Sequence, residues 1–176
     1  DNGYISYTLI GHASVLIQVA GVNILADPIY SNRASPVNFA GPKRVRPPAL
    51  LFTSLPKIDI VLISHDHYDH MDLSTLRRLE KRDSPIFIAG LRNKDFLISE
   101  GLGRVVELDW WQQHTYKSLM VFFSPAQHFS GRGLFDRNKS LWGSFVIKSK
   151  NALIYFAGDT GYGPHFKEIY QRFNAV

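Results

Sequence analysis

No cysteine occurs among the 176 residues of this sequence. Disulfide staples and thiolate ligands are therefore excluded, and any metal must be held by histidine and carboxylate side chains. Long apolar runs are also missing; none approaches the roughly 20 residues that a membrane-spanning helix needs. Internal repeats and low-complexity tracts are absent too. The chain opens on Asp1 with no basic leader, which reads as a trimmed domain boundary. Lack of cysteine fits a reducing compartment, so a location in the cytoplasm or peripheral to a membrane is expected.

What is present suits one globular domain over residues 1–176: 45% hydrophobic and 20% charged residues provide a sizeable core under a polar surface. The net charge of +5 suits an anionic substrate or surface. Lys and Arg form no stripe interleaved with aromatics, so nucleic acid is not expected as a partner.

Along the chain, "YISYTLIGHASVLIQVAGVNILADP" reads as three short strands turning near Gly11 and at Ala20-Gly21. Residues 28–56 hold most of the prolines and no steady hydrophobic period, and a loop this long inside a domain points to function. "IDIVLIS" is a β-branched run of the kind found in strands covered on both faces. "MDLSTLRRLEKR" places Leu73, Leu76 and Leu79 on one side of a helix, with Asp72 as its N-cap. Strands are expected at "SPIFIAG", "RVVELDW", "LMVFFSPAQH", "LWGSFVIKS" and "ALIYFAGD", with helices at "KDFLISEG" and "PHFKEIYQRF". Strands outnumber helices and alternate with them mid-chain, which predicts a layered α/β or α+β domain.

The chemistry concentrates in "VLISHDHYDHMD", where an apolar run meets three histidines. Residues two apart on an extended segment point the same way, so His65 and His67 can face one ion. After a turn, Asp69 and His70 can face a second. Imidazole with carboxylate suits zinc or a similar divalent transition metal. His128 and Asp159 each follow an apolar run, where strands leave the core, and a carboxylate such as Asp159 can bridge two cations. Asp66 reads as a spacer, and His114 as a surface residue.

"HDHYDH", "AQH" and "AGDTGY" match the metal motifs of the metallo-β-lactamase superfamily. With "LIGHASVLIQVAGVNILADPIYSNRASP", "GPKRVRPP", "VELDWW" and "LWGSF", the chain resembles the N-acyl-phosphatidylethanolamine-hydrolysing phospholipase D family along nearly its whole length. The resemblance implies an αββα sandwich with two zinc ions, other divalent transition metals being alternatives. His65, His67 and His128 would hold one ion, Asp69 and His70 the other, with Asp159 between them. Asp69 would also orient the nucleophile. Asp27 would stand behind the ligands, with His12 close by or else bonded to backbone in the core.

The implied substrate is an N-acylated ethanolamine phospholipid, cleaved to phosphatidic acid and an N-acylethanolamine. Arg33, Lys43, Arg44 and Arg46 would meet its headgroup or a membrane surface, or else pair with nearby carboxylates. "DWW" and the phenylalanines around Phe122 either line an acyl channel or fill the core. A homodimer is a further expectation. The family carries one more metal-binding histidine on a late strand, for which this sequence offers no counterpart before Val176. The last strands of the second sheet are therefore expected to be missing. Hydrolysis of a lactone or a soluble phosphodiester stays open beside the phospholipid reading, as does an inactive partial domain.

Overall fold

The computed structural model describes residues 4–37 and 39–174. The expectation drawn from Val176 lies outside the described residues. Strands β1 (Ile5–Gly11), β2 (Ser14–Val19) and β3 (Val22–Ala26) form an antiparallel meander. The β2–β3 turn consists of Ala20 and Gly21, both with positive φ, as a two-residue hairpin of matching twist requires. After the long loop come β4 (Ile60–Ile63), α1 (Leu73–Asp83), β5 (Ile86–Gly90), α2 (Lys94–Ser99) and β6 (Val105–Leu108). These strands join β3 in parallel, giving a six-stranded sheet in the order β1-β2-β3-β4-β5-β6.

A second sheet holds β7 (Gln113–Tyr116), β8 (Leu119–Ser124), β9 (Ser144–Lys148) and β10 (Leu153–Phe156), in the antiparallel order β10-β9-β8-β7. Helix α3 (His165–Phe173) follows.

Alternation along β4 explains the layers. Ile60 and Leu62 enter a core shared with Val121, Phe123, Phe145 and Ile147 of the second sheet. Val61 and Ile63 enter the core under α1 and α2, with Leu76, Leu79 and Leu97. A strand buried on both faces must be apolar throughout, and all four residues of β4 are buried. Helix α3 covers the far side of the second sheet, where Phe173 packs edge-on against Phe122 at 4.8 Å. The order of layers is thus helix, sheet, sheet, helix, the expected αββα sandwich.

Two sequence expectations shift, and one open alternative is resolved. Strand β7 is polar enough to escape notice, and His114 on it is no surface residue. It pairs with Val121, so it shares the face that turns into the core, and its Nε2 is buried without a hydrogen-bond partner. Strands β8 and β10 stop at Ser124 and Phe156, short of His128 and Asp159. Phe122 and the Trp110 ring both pack within the layers, Trp110 against the inter-sheet core.

Gly90 ends β5 where the Leu141 backbone crosses it, held by a 2.8 Å bond from Leu141 N–H to the Leu91 carbonyl. A Cβ at Gly90 would collide with the Leu141 carbonyl and the Phe123 ring. Gly90→Ala is expected to lower stability by about 1–3 kcal/mol. The denaturation midpoint of the full-length protein measures this, and an unchanged midpoint would contradict the close approach.

Candidate metal centre

Strand direction assembles the site. β1, β3 and β4 run the same way, so the residues that follow them (His12, Asp27, and Ser64 to His70) meet at one edge of the first sheet. β8 and β10 also share a direction, each being antiparallel to β9. His128 and Asp159 follow them at the neighbouring edge. The loops are fastened to one another by a bridge between Gln127 and Gly161 and by a 2.9 Å bond from Gln127 N–H to Thr160 Oγ1. Carboxyl ends of strands are where layered α/β proteins commonly build sites.

His65, His67 and His128 each offer a ring nitrogen to one point. His65 Nε2 lies 2.8 Å from His67 Nδ1, which lies 3.3 Å from His128 Nε2. Two nitrogens on one tetrahedral ion, each ~2.0–2.1 Å from it, stand about 3.3 Å apart. The donor set therefore fits a metal. Burial foremost, and then the neighbouring imidazoles of His70, His67 and His128, push the His65 pKa down to about 2. Burial is also the leading cause of lowered values at His67 and His128. Neutral imidazoles with lone pairs aimed at one point repel unless a cation lies among them.

Beside this trio, His12, Asp69 and His70 form a second group. His70 Nε2 is fully buried, has no hydrogen-bond partner, and lies 3.3 Å from Asp159 Oδ1 and 3.8 Å from Asp69 Oδ2. Asp159 Oδ2 is 4.0 Å from His128 Nε2, so this carboxylate stands between the two groups. Burial works against a charge on His70, but the hydrogen bond and charge of Asp27, with Asp159 and Asp69, outweigh it and raise its pKa. The same carboxylates favour a divalent cation at Nε2. Burial opposes ionisation of Asp69, yet the charge of His70 and the hydrogen bond from His12 hold its pKa below the usual carboxylate value.

Asp27 is wholly buried behind both groups. Its Oδ2 accepts from His70 Nδ1 at 2.7 Å and from Ser64 Oγ at 2.5 Å, and its Oδ1 accepts from Ser64 N–H at 2.8 Å. Ser64 Oγ in turn lies 2.9 Å from His65 Nδ1. With Nδ1 of His65 and His70 both held this way, each ring turns its Nε2 toward the site, where a bound cation would take its lone pair. Ser64 escaped the sequence reading, since nothing but its place before His65 marks it.

His12 is not a core histidine: its side chain is half exposed and its Nε2 lies 2.8 Å from Asp69 Oδ2. It sits at φ 53°, a left-handed conformation uncommon outside glycine, which aims the ring at Asp69. Asp66 is no spacer. Its carboxylate accepts from Gly131 N–H at 2.6 Å and Ser140 Oγ at 2.6 Å, anchoring a loop more than sixty residues away. Asp72 stands at the N-cap position without capping. Its carboxylate instead takes bonds from Tyr30 N–H, Ser31 N–H, Ser31 Oγ and Thr75 Oγ1, pinning the long loop.

That loop walls a cavity of about 500 Å³ that reaches Asp69 and His12 and is lined also by Leu9, Ile29, Lys43, Arg44, Val45 and Arg46. Arg44 bonds the carbonyls of Ile29 (2.7 Å) and Ser31 (3.4 Å) and so braces the wall. Arg33 donates to the Gly41 carbonyl and lines a different cavity. Neither makes an ion pair among the described residues.

Comparison with known proteins gives three findings. A family model described as the beta-lactamase superfamily domain matches residues 22–176. An uncharacterized protein of Mycobacterium tuberculosis is 38% identical over 180 residues, covering 96% of this chain and 46% of the relative. N-acyl-phosphatidylethanolamine-hydrolyzing phospholipase D 1 of Caenorhabditis elegans is 38% identical over 173 residues, covering 92% of this chain and 49% of the relative. The chain thus spans about half the length of these curated relatives. Among solved structures, a metallo hydrolase of Ignicoccus hospitalis superposes with a TM-score of 0.71 at 20% identity, covering 95% of this chain and 66% of that one, a likeness of fold.

Asp27→Asn replaces one acceptor oxygen with an amide donor and is expected to weaken metal binding about 10–100-fold. Chelator competition on the folded full-length protein measures it, and an unchanged affinity would contradict the role given to Asp27.

Proposed function

The chain belongs to the beta-lactamase superfamily, and we propose that its site cleaves the phosphodiester bond of N-acyl phosphatidylethanolamine-like phospholipids, using two divalent ions, zinc foremost. The observation that carries this reading is the cavity of about 500 Å³ beside the second metal group. One end holds Asp69, the wall carries Lys43, Arg44 and Arg46, and Leu9, Ile29 and Val45 supply apolar surface. Cations beside a metal centre suit a phosphodiester anion, and apolar walls suit its lipid tails. The likeness to the nematode phospholipase D supports the same substrate class.

In this reading His65, His67 and His128 would hold one ion and Asp69 and His70 the other, with Asp159 standing between the two groups. When bound, such ions supply Lewis acidity that makes water acidic near neutral pH and neutralises charge developing on a phosphoryl oxygen. The chain's own residues do the rest. Lys43 and Arg46 draw the phosphate in. Asp69 stays ionised, with one oxygen held by His12, and accepts a hydrogen from the attacking water so that its lone pair faces phosphorus. Attack forms one P–O bond as the bond to the ethanolamine oxygen breaks. The proton that Asp69 takes from the water passes to that oxygen as it leaves, giving phosphatidic acid and an N-acylethanolamine.

The full-length protein is expected to release these two products in equal amounts from N-acyl phosphatidylethanolamine in mixed micelles. Hydrolysis of lactones or soluble diesters with no phospholipid turnover would overturn the substrate, and no turnover of any would favour an inactive domain. Asp69→Asn is expected to lower kcat about 10²–10⁴-fold; a kcat within a few-fold of wild type would remove Asp69 from the chemistry.

A further inference from the structure

Asp159 stands between the two metal groups with nothing but its backbone to hold it there. His12 holds the Asp69 carboxylate, whereas that of Asp159 takes no hydrogen bond among the described residues. The nearest ring nitrogens to its oxygens are those of His70, at 3.3 Å, and His128, at 4.0 Å, and both belong to the metal groups themselves. The backbone around Asp159 is sparsely tied as well. Strand β10 ends at Phe156, and the next backbone bond among the described residues runs from Gly161 N–H to the Gln127 carbonyl at 2.9 Å. Asp159 hangs in the span between.

The far end of that span is a junction at the Thr160 hydroxyl. Its oxygen accepts from Gln127 N–H at 2.9 Å, donates to the Gly161 carbonyl at 2.8 Å, and lies 3.1 Å from His165 Nε2. A hydroxyl has one hydrogen and two lone pairs, so with its hydrogen on Gly161 it accepts from the imidazole. His165 Nε2 is therefore the N–H donor. Burial outweighs the charge of Glu168 and lowers the His165 pKa, which leaves the ring neutral with Nδ1 bare. His165 is only 5% exposed at the first residue of α3, and a Cβ on Gly163 would come 3.0 Å from its Nδ1. Since α3 packs on the second sheet through Phe173 and Phe122, the junction is referenced to the sheet and not to a loop. The His128 side has a separate hold: Trp142 Nε1 donates to the Ala126 carbonyl at 2.9 Å.

We propose that His165 is a positioning residue for the metal centre: by locking the Thr160 hydroxyl it fixes the Asp159 carboxylate between the two groups. Loss of the lock frees Asp159 more than His128, which keeps its own tie through Trp142. The group of Asp69 and His70 feels that loss first. Asp159 stands nearer to His70 than to His128, and this group has fewer imidazoles than the trio of His65, His67 and His128. The inference rests on the two-ion part of the reading above and is independent of its substrate.

The test is stepwise chelator competition for zinc on the folded full-length protein, which reads the two ions separately. Wild type is expected to hold both. His165→Phe keeps the ring's bulk without the donor, and Thr160→Val keeps the side chain's shape without the hydroxyl. Each is expected to weaken the second ion about 10–100-fold and to leave the first unchanged. His165→Gln, whose amide can place an N–H where Nε2 was, is expected to bring the second ion back to within a few-fold of wild type. Should His165→Phe fail to fold, Thr160→Val decides by the same measure. Equal weakening of both ions would assign His165 to packing and overturn the proposal, and so would a Gln variant no better than Phe. Wild type and variants that all hold two ions alike would overturn this inference alone, whereas a wild type that holds a single ion would remove the two-ion reading with it.

Discussion

One buried carboxylate holds the site together. Asp27 leaves β3 with φ 41° and its N–H bonded to the Leu62 carbonyl, so the parallel ladder extends one residue past the strand. Its backbone carbonyl accepts from Ser14 Oγ, which ties it to β2. From that fixed point its two oxygens reach Ser64 and His70, and through Ser64 they reach His65. An unpaired carboxylate in such surroundings would be strongly disfavoured, so burial makes these bonds obligatory. The orientation of two imidazoles, one from each group, is thus held by hydrogen bonds that trace back to Asp27.

The rest of the architecture brings distant chain segments to that point. Parallel β1, β3 and β4 deliver His12, Asp27 and the 65–70 segment, while β8 and β10 deliver His128 and Asp159 from the other sheet. Gly158, at φ 58°, lets the last of these pass against Ser64, where a Cβ would come 2.8 Å from Ser64 Cβ. Asp66 and Arg132 then clamp the 130–140 loop onto the ligand segment. The site is braced on its protein side by these bonds and opens on its solvent side into the cavity walled by the long loop.

Much of this was legible in the sequence because it is local. β4 could be read from an unbroken apolar run, and the clustering of His65 and His67 from their spacing at a strand end. α1 came from its leucine spacing, although Asp72 does a different job from the one its position implied. What stayed hidden depends on long-range contacts. Asp66 looks idle until Gly131 and Ser140 arrive, and Ser64 looks like any serine until Asp27 is beneath it. His114 sits on a polar edge strand with no periodic signal, and only its register with Val121 shows that it faces inward. His12 owes its position to a turn geometry that no composition rule marks.

The proposed function rests on the same positions: a histidine and aspartate cluster at the sheet edge and a basic and apolar cavity against it. The central claim is that the histidine and aspartate cluster is a two-ion centre preset by Asp27. Anomalous diffraction from crystals of the full-length protein, recorded at the absorption edge of the bound metal, tests it directly. The account predicts two peaks, one at the nitrogens of His65, His67 and His128 and one at Asp69 and His70, with Asp159 between them and Asp27 in contact with neither. A single peak, or metal held by other residues of this chain in place of these, would contradict it.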